Sequence, residues 1–280
     1  MSTEIDRLAA LPPVPDSWSA RQLDAQVDYM TAVVDAIVNH PRSLQVAIGP
    51  SEIGTACPRK LLYKLTGVPE RDQKPNWKAT VGTGGHLWQE EAFDRANLTF
   101  ADSAGTPGVE RWLIEETVTV GSDAFGRPIT GHCDLFDRAT RTVIDHKFVG
   151  KTQLAKYRSK GPSPQYRAQA HLYGLGWVNA GIQVDAVAIS FLPRDGELRD
   201  AYWWTEPFNP QIAADALQRL HGLQITHQAL GDAAYAVVGT EDDYCGFCPF
   251  YRPGSTDLAI GCPGHPGAVT TPEPALTLVG

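Results

Sequence analysis

Long apolar runs, an excess of positive charge and abundant cysteine are all missing from this sequence. No stretch approaches the roughly 20 apolar residues that a membrane-crossing helix needs. The opening residues, MSTEIDRLAALPPVPDSW, are acidic and proline-broken, unlike a secretory signal, so a cytoplasmic location is expected. Lys and Arg number 24 against 32 Asp and Glu, a net charge of −8 that counts against binding of a polyanion over the whole surface. The cysteines number five, and in a cytosolic chain they point to metal ligands or core residues rather than disulfides. No internal repeat is visible. What remains, 280 residues with 42% apolar and 20% charged, is the composition of an ordinary globular protein with a substantial core.

Periodicity and punctuation predict a mixed α/β order. Residues 1–16 read as an arm, and 17–40 as a helix with Leu23, Val27, Met30, Val34 and Ile37 near a 3.6 period. Further helices are predicted near 57–65 and 81–97. Three short segments rich in β-branched and aromatic residues, 112–120, 129–137 and 142–149, read as strands separated by turns. A helix over 163–180 follows, then strands at 186–193 and 197–205. Asn209 and Pro210 supply the cap and first turn of a helix to about Leu230. Residues 244–263 read as a cysteine-bearing loop. The implied division is an arm and helix over 1–45, one catalytic domain over 46–265 and a flexible tail over 266–280.

The charge deficit is not uniform. From His146 to Val184 there is no acidic residue, while Lys147, Lys151, Lys156, Arg158, Lys160 and Arg167 are present. Such a stripe can hold phosphates; a solvated face is the plainer reading. Just before it, Asp145 and Lys147 alternate on a strand and so share a face, and Asp134 sits on the preceding strand. Two hard carboxylates suit Mg²⁺ or Mn²⁺, which activates water and neutralises phosphate charge, and a nearby lysine can orient the water or stabilise the transition state. The spacing alone is weak, since Asp72-Gln73-Lys74 also satisfies it. His86 and Glu90 lie one helical turn apart, His86 as a candidate ligand with Glu90 behind it. Gln169 and Tyr173 are similarly spaced downstream.

Taken in order, GTGGH, GHCD, IDHK and QAHLY resemble the PD-(D/E)XK nuclease superfamily, in its RecB-like branch. The resemblance spans about residues 51–265 and implies a restriction-endonuclease-like mixed sheet flanked by helices. It implies that His86, Asp134, Asp145 and the carbonyl of His146 hold Mg²⁺ or Mn²⁺, that Lys147 is catalytic, and that Gln169 and Tyr173 contact DNA or brace the lysine. The expected activity is hydrolysis of DNA, as an exonuclease on single strands or ends. Trp77, Trp88, Tyr157 and Tyr166 are candidates to stack on bases, with core packing the expected role of the two tryptophans. Partner proteins in recombination, repair or CRISPR adaptation are compatible with the resemblance. The competing class is a non-catalytic DNA-binding or assembly subunit of the same fold.

Cys245 and Cys248 form a C-x-x-C in a Gly/Pro-rich segment, with Cys262 beyond and Cys57 far upstream. Four thiolates can hold zinc or an iron–sulfur cluster, clamping the two ends of the domain. SEIGTACPRKLLYKLTGV and YCGFCPF resemble the early and late cysteine segments of iron–sulfur RecB-like nucleases, among them CRISPR-adaptation exonucleases and phage relatives. That resemblance implies a 4Fe-4S cluster on Cys57, Cys245, Cys248 and Cys262. The 13 residues between Cys248 and Cys262 exceed that family's spacing, which leaves His265 as an alternative ligand. Cys133, next to Asp134, is expected in the core. A redox role for Cys245 and Cys248 is disfavoured, because the pair lacks a strand-to-helix setting.

Overall fold

A computed structural model describes residues 19–39, 48–70, 76–104, 108, 110–241 and 245–267. The expected arm at 1–16, nearly all of the tail and the Asp72-Gln73-Lys74 triplet lie outside the described residues. The elements are α1 (Ala20–Val38), α2 (Pro50–Ile53), α3 (Pro58–Thr66), α4 (Trp77–Ala104), β1 (Trp112–Ser122), β2 (Pro128–Asp137), β3 (Thr142–Val149), α5 (Lys151–Lys160), α6 (Pro164–Asn179), β4 (Ala186–Pro193), β5 (Tyr202–Pro207), α7 (Pro210–Leu230) and α8 (Ala234–Val237). They form an α/β fold, one five-stranded sheet with helices packed on it, in spatial order β1-β2-β3-β4-β5. β1, β2 and β3 pair antiparallel, β3 and β4 parallel, and β4 and β5 antiparallel. Among the described residues, no helix is long and apolar enough to cross a membrane.

The turns are set by side chains. Between β1 and β2, Asp123 Oδ1 accepts from the backbone N–H groups of Phe125 and Arg127, both at 2.9 Å. Between β2 and β3, Asp137 accepts from the Ala139 N–H at 3.0 Å. The parallel β3–β4 pair requires a crossover, which α5 and α6 provide. Ser163 Oγ caps α6 by accepting from the Tyr166 N–H at 3.2 Å, and Asn209 Oδ1 caps α7 from the Gln211 N–H at 3.0 Å.

The main core lies on the α6 side of the sheet, where Phe136, Val143, Val187, Ile189 and Phe191 meet Leu172, Trp177 and Leu220. Each such fully buried side chain contributes about 1.5–3 kcal/mol. A smaller cluster of Leu135, Ile144 and Ala188, with Phe93 and Trp112 against it, lies toward α4.

Several expected boundaries move. α4 starts at Trp77, because Asn76 Oδ1 accepts from the Ala79 N–H at 3.1 Å, and it runs on to Ala104. Strand β5 starts at Tyr202 rather than 197, since Asp200 Oδ2 accepts from the Glu197 N–H at 3.1 Å and closes a 3₁₀ turn. Helix α5 is additional: it buries only Leu154 and Tyr157, too few to show a stripe in the sequence.

Candidate active site

The site grows from the register of three strands. Leu135 pairs with Ile144 across β2 and β3, which sets Asp134 opposite Asp145 one step further on. Across β1 and β2, the pairs Ile114–Leu135 and Glu116–Cys133 bracket Glu115 and Asp134. Three carboxylates therefore lie in a row across the sheet. Strict alternation would place Cys133 and Phe136 on opposite faces, yet both contact Trp177 of α6. The alternation slips in this stretch of β2, and opposite it Glu115 adopts φ +50°. A left-handed backbone at a non-glycine residue costs about 1–3 kcal/mol.

The slip turns Asp134 and Glu115 toward α4. His86 Nδ1 lies 3.6 Å from Asp134 Oδ2 and 4.0 Å from Glu115 Oε1. One donor atom from each of the three residues falls within 4.8 Å of the other two. On α4, His86, Gln89, Phe93 and Asn97 share one face. Gln89 Nε2 is 3.3 Å from His146 Nδ1, Phe93 stacks on the His146 ring, and Asn97 bonds the backbone of Trp112. Gly85 lets the helix approach this closely, because a Cβ there would sit 2.5 Å from the Phe148 ring. Glu90 is half-buried and lies outside that three-residue group.

Asp145 is 1% exposed, and among the described residues its two carboxylate oxygens accept no aligned hydrogen bond. The Lys147 ammonium stands 2.6 Å from Oδ2 as an ion pair. Burial pushes the Asp145 carboxyl up to about 7; Lys147 opposes that rise, while the charges of Asp134 and Glu115 add to it. Burial works against the charge on Lys147, but Asp145 and Asp134 outweigh it and hold the ammonium above the usual lysine range. The pair titrates as one unit. Lys147 also sits 5.0 Å from the centre of the Tyr166 ring.

His146 contributes to both sides of its strand. Its N–H donates to Asp134 Oδ2 at 2.7 Å, and burial pushes its imidazole down to about 4, hence neutral. Gln169 and Tyr173 are buried beneath the acidic row and bonded to each other, and burial raises the Tyr173 phenol far above its ordinary value. Tyr157 is buried against Phe191. Trp77 and Trp88 differ from expectation: they are 62% and 64% exposed on the outer side of α4. The basic stripe is partly consumed, because Arg167 is bidentate to Glu206 at 2.6 and 3.1 Å and Arg158 donates to the Asp200 carbonyl. Lys151, Lys156 and Lys160 are exposed on α5.

Glu115 is the site residue that sequence reasoning missed. Its signal was the hairpin register, which places it across from Asp134, but a slipped alternation cannot be read from residue types.

Cys57, Cys245, Cys248 and Cys262 line one cavity of about 330 Å³, space open to solvent included, together with Lys60, Tyr63 and Tyr251. Among the described residues no three of their sulfurs lie within 4.8 Å of one another, so the thiols surround a space rather than converge on a point. The Gly264 N–H reaches Cys262 Sγ at 3.4 Å, the His265 N–H reaches Cys245 Sγ at 3.3 Å, and Arg59 Nη1 is 3.7 Å from Cys262 Sγ. The His265 ring is engaged elsewhere, with Nδ1 3.1 Å from the Thr240 carbonyl. Cys133 is fully buried and accepts from Trp177 Nε1 at 3.3 Å, a core residue as expected.

No protein-family model matches the chain. A search of curated proteins gives no match either. Among solved structures, the protein SSO0001 is similar at 14% identity with a TM-score of 0.46, over 79% of this chain and 91% of its own. The alkaline exonuclease LHK-Exo from Laribacter hongkongensis is similar at 12% identity and 0.41, over 66% and 89%. A phage-related exonuclease from Haemophilus somnus 129PT is similar at 12% and 0.34, over 82% and 96%. Likeness at these scores carries no argument about activity.

Proposed function

We propose that this chain is a metal-dependent DNA nuclease of the PD-(D/E)XK superfamily, in its RecB-like iron–sulfur branch, acting as an exonuclease on single strands or ends. The observation that carries the reading is the convergence of His86, Asp134 and Glu115 beside the buried Asp145–Lys147 pair. An imidazole with hard carboxylates suits Mg²⁺ or Mn²⁺. Asp145 Oδ1, buried and without a partner among the described residues, is what a ligand waiting for a cation looks like, while Oδ2 is held by Lys147.

In this reading His86, Asp134, Asp145 and the His146 carbonyl hold the cation. When bound, it supplies activation of water and neutralisation of phosphate charge. The water gives up a proton to solvent as its oxygen attacks phosphorus, the bond from phosphorus to one sugar oxygen breaks, and that oxygen takes up a proton from solvent and leaves as an alcohol. Lys147, kept charged by Asp145, stabilises the negative charge that grows on the phosphoryl oxygens. Gln169 and Tyr173 brace the floor under this pair, and Tyr166 confines the lysine. The exposed lysines of α5 would hold the backbone of the substrate. Trp77 and Trp88 are open to stack on bases.

We favour a 4Fe-4S cluster over zinc for the cysteine cavity. A tetrahedral zinc with bonds of about 2.3 Å holds its thiolates about 3.8 Å apart, whereas among the described residues no three of these sulfurs lie within 4.8 Å of one another. Cys57, Cys245, Cys248 and Cys262 would ligate the cluster, whose role is to pin the C-terminal segment to α3. The test is cleavage of end-labelled single- and double-stranded DNA with Mg²⁺, with Mn²⁺ and with EDTA. Divalent-dependent loss of the labelled end supports the proposal; intact DNA with both metals would sink it.

A further inference from the structure

We infer that Arg59 is a positioning residue for the cysteine site: its guanidinium holds the Cys262 thiolate as a ligand and raises the reduction potential of the cluster bound there. The inference rests on the iron–sulfur reading of the cavity and not on the nuclease chemistry. Arg59 lies in the first turn of α3, two residues after Cys57. Its backbone N–H donates to the Gly239 carbonyl at 3.3 Å, and Nε and Nη2 both donate to the Val238 carbonyl, at 3.2 and 3.0 Å. Two bonds to one oxygen fix the plane of the guanidinium. The remaining nitrogen, Nη1, is thereby aimed at Cys262 Sγ, 3.7 Å away. The same sulfur accepts from the Gly264 N–H at 3.4 Å. A neutral thiol gains little from such donors, whereas a thiolate is stabilised by both. Cys262 is the cysteine whose spacing departs from the family resemblance, and the alternative, His265, turns its Nδ1 to the Thr240 carbonyl.

Four thiolates give a 4Fe-4S cluster a net negative charge, and uptake of one electron adds to it. A cation bonded to a ligand sulfur stabilises the reduced form more than the oxidised one, so the potential rises. The surroundings suit an anionic occupant. Lys60 lines the cavity, and Arg219 stands behind Cys57, donating to the carbonyls of Ile53, Thr55 and Ala56. Glu241 is the single acidic side chain among the described lining residues, and it is exposed. The competing account is a clamp, in which Arg59 ties α3 to Val238 at the end of α8 and the sulfur contact is incidental. The two accounts differ in what the cluster feels. Loss of a clamp lowers the melting temperature and leaves the potential of a fully loaded cluster unchanged; loss of a charge at the sulfur moves the potential.

The experiment uses the full chain purified without oxygen. Iron and acid-labile sulfide are counted, and the midpoint is found by a dithionite titration followed by electron paramagnetic resonance. The variants are Arg59→Gln, which removes the charge, and Arg59→Lys, which keeps it. Lys64→Gln is the control, removing an equal charge from the same helix at a residue paired with Glu52. The Arg59→Gln midpoint should move to more negative potential, well beyond the shift of Lys64→Gln, with Arg59→Lys between Arg59→Gln and wild type. Fully loaded Arg59→Gln at the wild-type midpoint overturns the inference, whatever its melting temperature. Should Arg59→Gln come out without iron, Arg59→Lys decides. Iron retained there supports a required charge at Cys262; iron lost in both overturns the inference in favour of the clamp. Failure of the cluster reading looks different, because the wild-type protein itself then holds no iron.

Discussion

The backbone N–H of His146 donates to Asp134 Oδ2 at 2.7 Å. The β2–β3 ladder runs through Leu135–Ile144, and at the next step a side chain of one strand takes the amide of the other. Asp134 thus serves two purposes, satisfying a buried amide and presenting an oxygen to His86. The purposes separate by mutation. Asp134→Ala leaves the His146 N–H buried and unpaired and should cost about 1–3 kcal/mol, as well as abolishing cleavage. Asp134→Asn keeps an acceptor, so urea unfolding should stay nearer wild type while cleavage is still lost. Equal destabilisation by both variants would remove the amide-satisfying role.

Lys147 divides binding from chemistry in a different way. It contacts Asp145 and the Tyr166 ring, and as an ammonium it has no lone pair to offer a cation. Lys147→Ala should therefore lower kcat by about 100-fold or more while changing the Mn²⁺ affinity only a few-fold. Single-turnover cleavage and calorimetry on one preparation check this. A variant that cleaves at the wild-type rate would take Lys147 out of the mechanism.

The strands were legible because β-branched and aromatic residues bounded by turns leave little choice, and α6 and α7 because Ser163 and Asn209 announce their starts. The acidic row was half legible. Asp134 and Asp145 follow from hairpin register, whereas Glu115 depends on a slip in side-chain direction that no residue type marks. Helix α5 escaped for a related reason: ten residues with two buried side chains have no stripe. The exposure of Trp77 and Trp88 was misjudged because α4 is nearly uniform around its circumference, so nothing in the sequence says which face meets the sheet. The cysteines show the reverse case. Residues 57 and 245 are far apart in the chain, yet a resemblance of short segments was enough to group them with Cys248, and Cys262, whose spacing departs from that resemblance, lines the same cavity.

That cavity makes a prediction independent of cleavage. Protein purified without oxygen should be brown and should contain iron and acid-labile sulfide. Cys245→Ala should lose the visible absorbance and melt at a lower temperature, since the cluster would add a covalent tie between α3 and the late segment to the Tyr63 hydroxyl's hydrogen bond to the Leu258 carbonyl at 2.7 Å and the Tyr63–Phe250 ring contact. Cys133→Ala should keep the colour, because its thiol faces Trp177 in the core. Stoichiometric zinc with no iron would replace the cluster reading by a zinc site.

Away from the site, Asp137 gives a pH dependence whose sign follows from its contacts. It is 3% exposed and accepts from Arg111 Nε and Nη2, both at 2.9 Å, as well as from Thr140 and the Ala139 N–H. Burial alone would raise its carboxyl, but the Arg111 guanidinium and the other donors prevail and hold it below the ordinary carboxylate range. The folded state therefore binds this proton less readily than the unfolded chain. The stabilisation is present above the unfolded value of about 4 and is lost as pH falls through the depressed folded value. Asp137→Asn should lower stability at neutral pH by about 1–2 kcal/mol, because the solvent-accessible Arg111 loses its charged partner. The gap from wild type should narrow as the pH drops below about 4. Urea unfolding across that range measures it, and a gap that stays constant with pH would show that Asp137 contributes through its neutral hydrogen bonds alone.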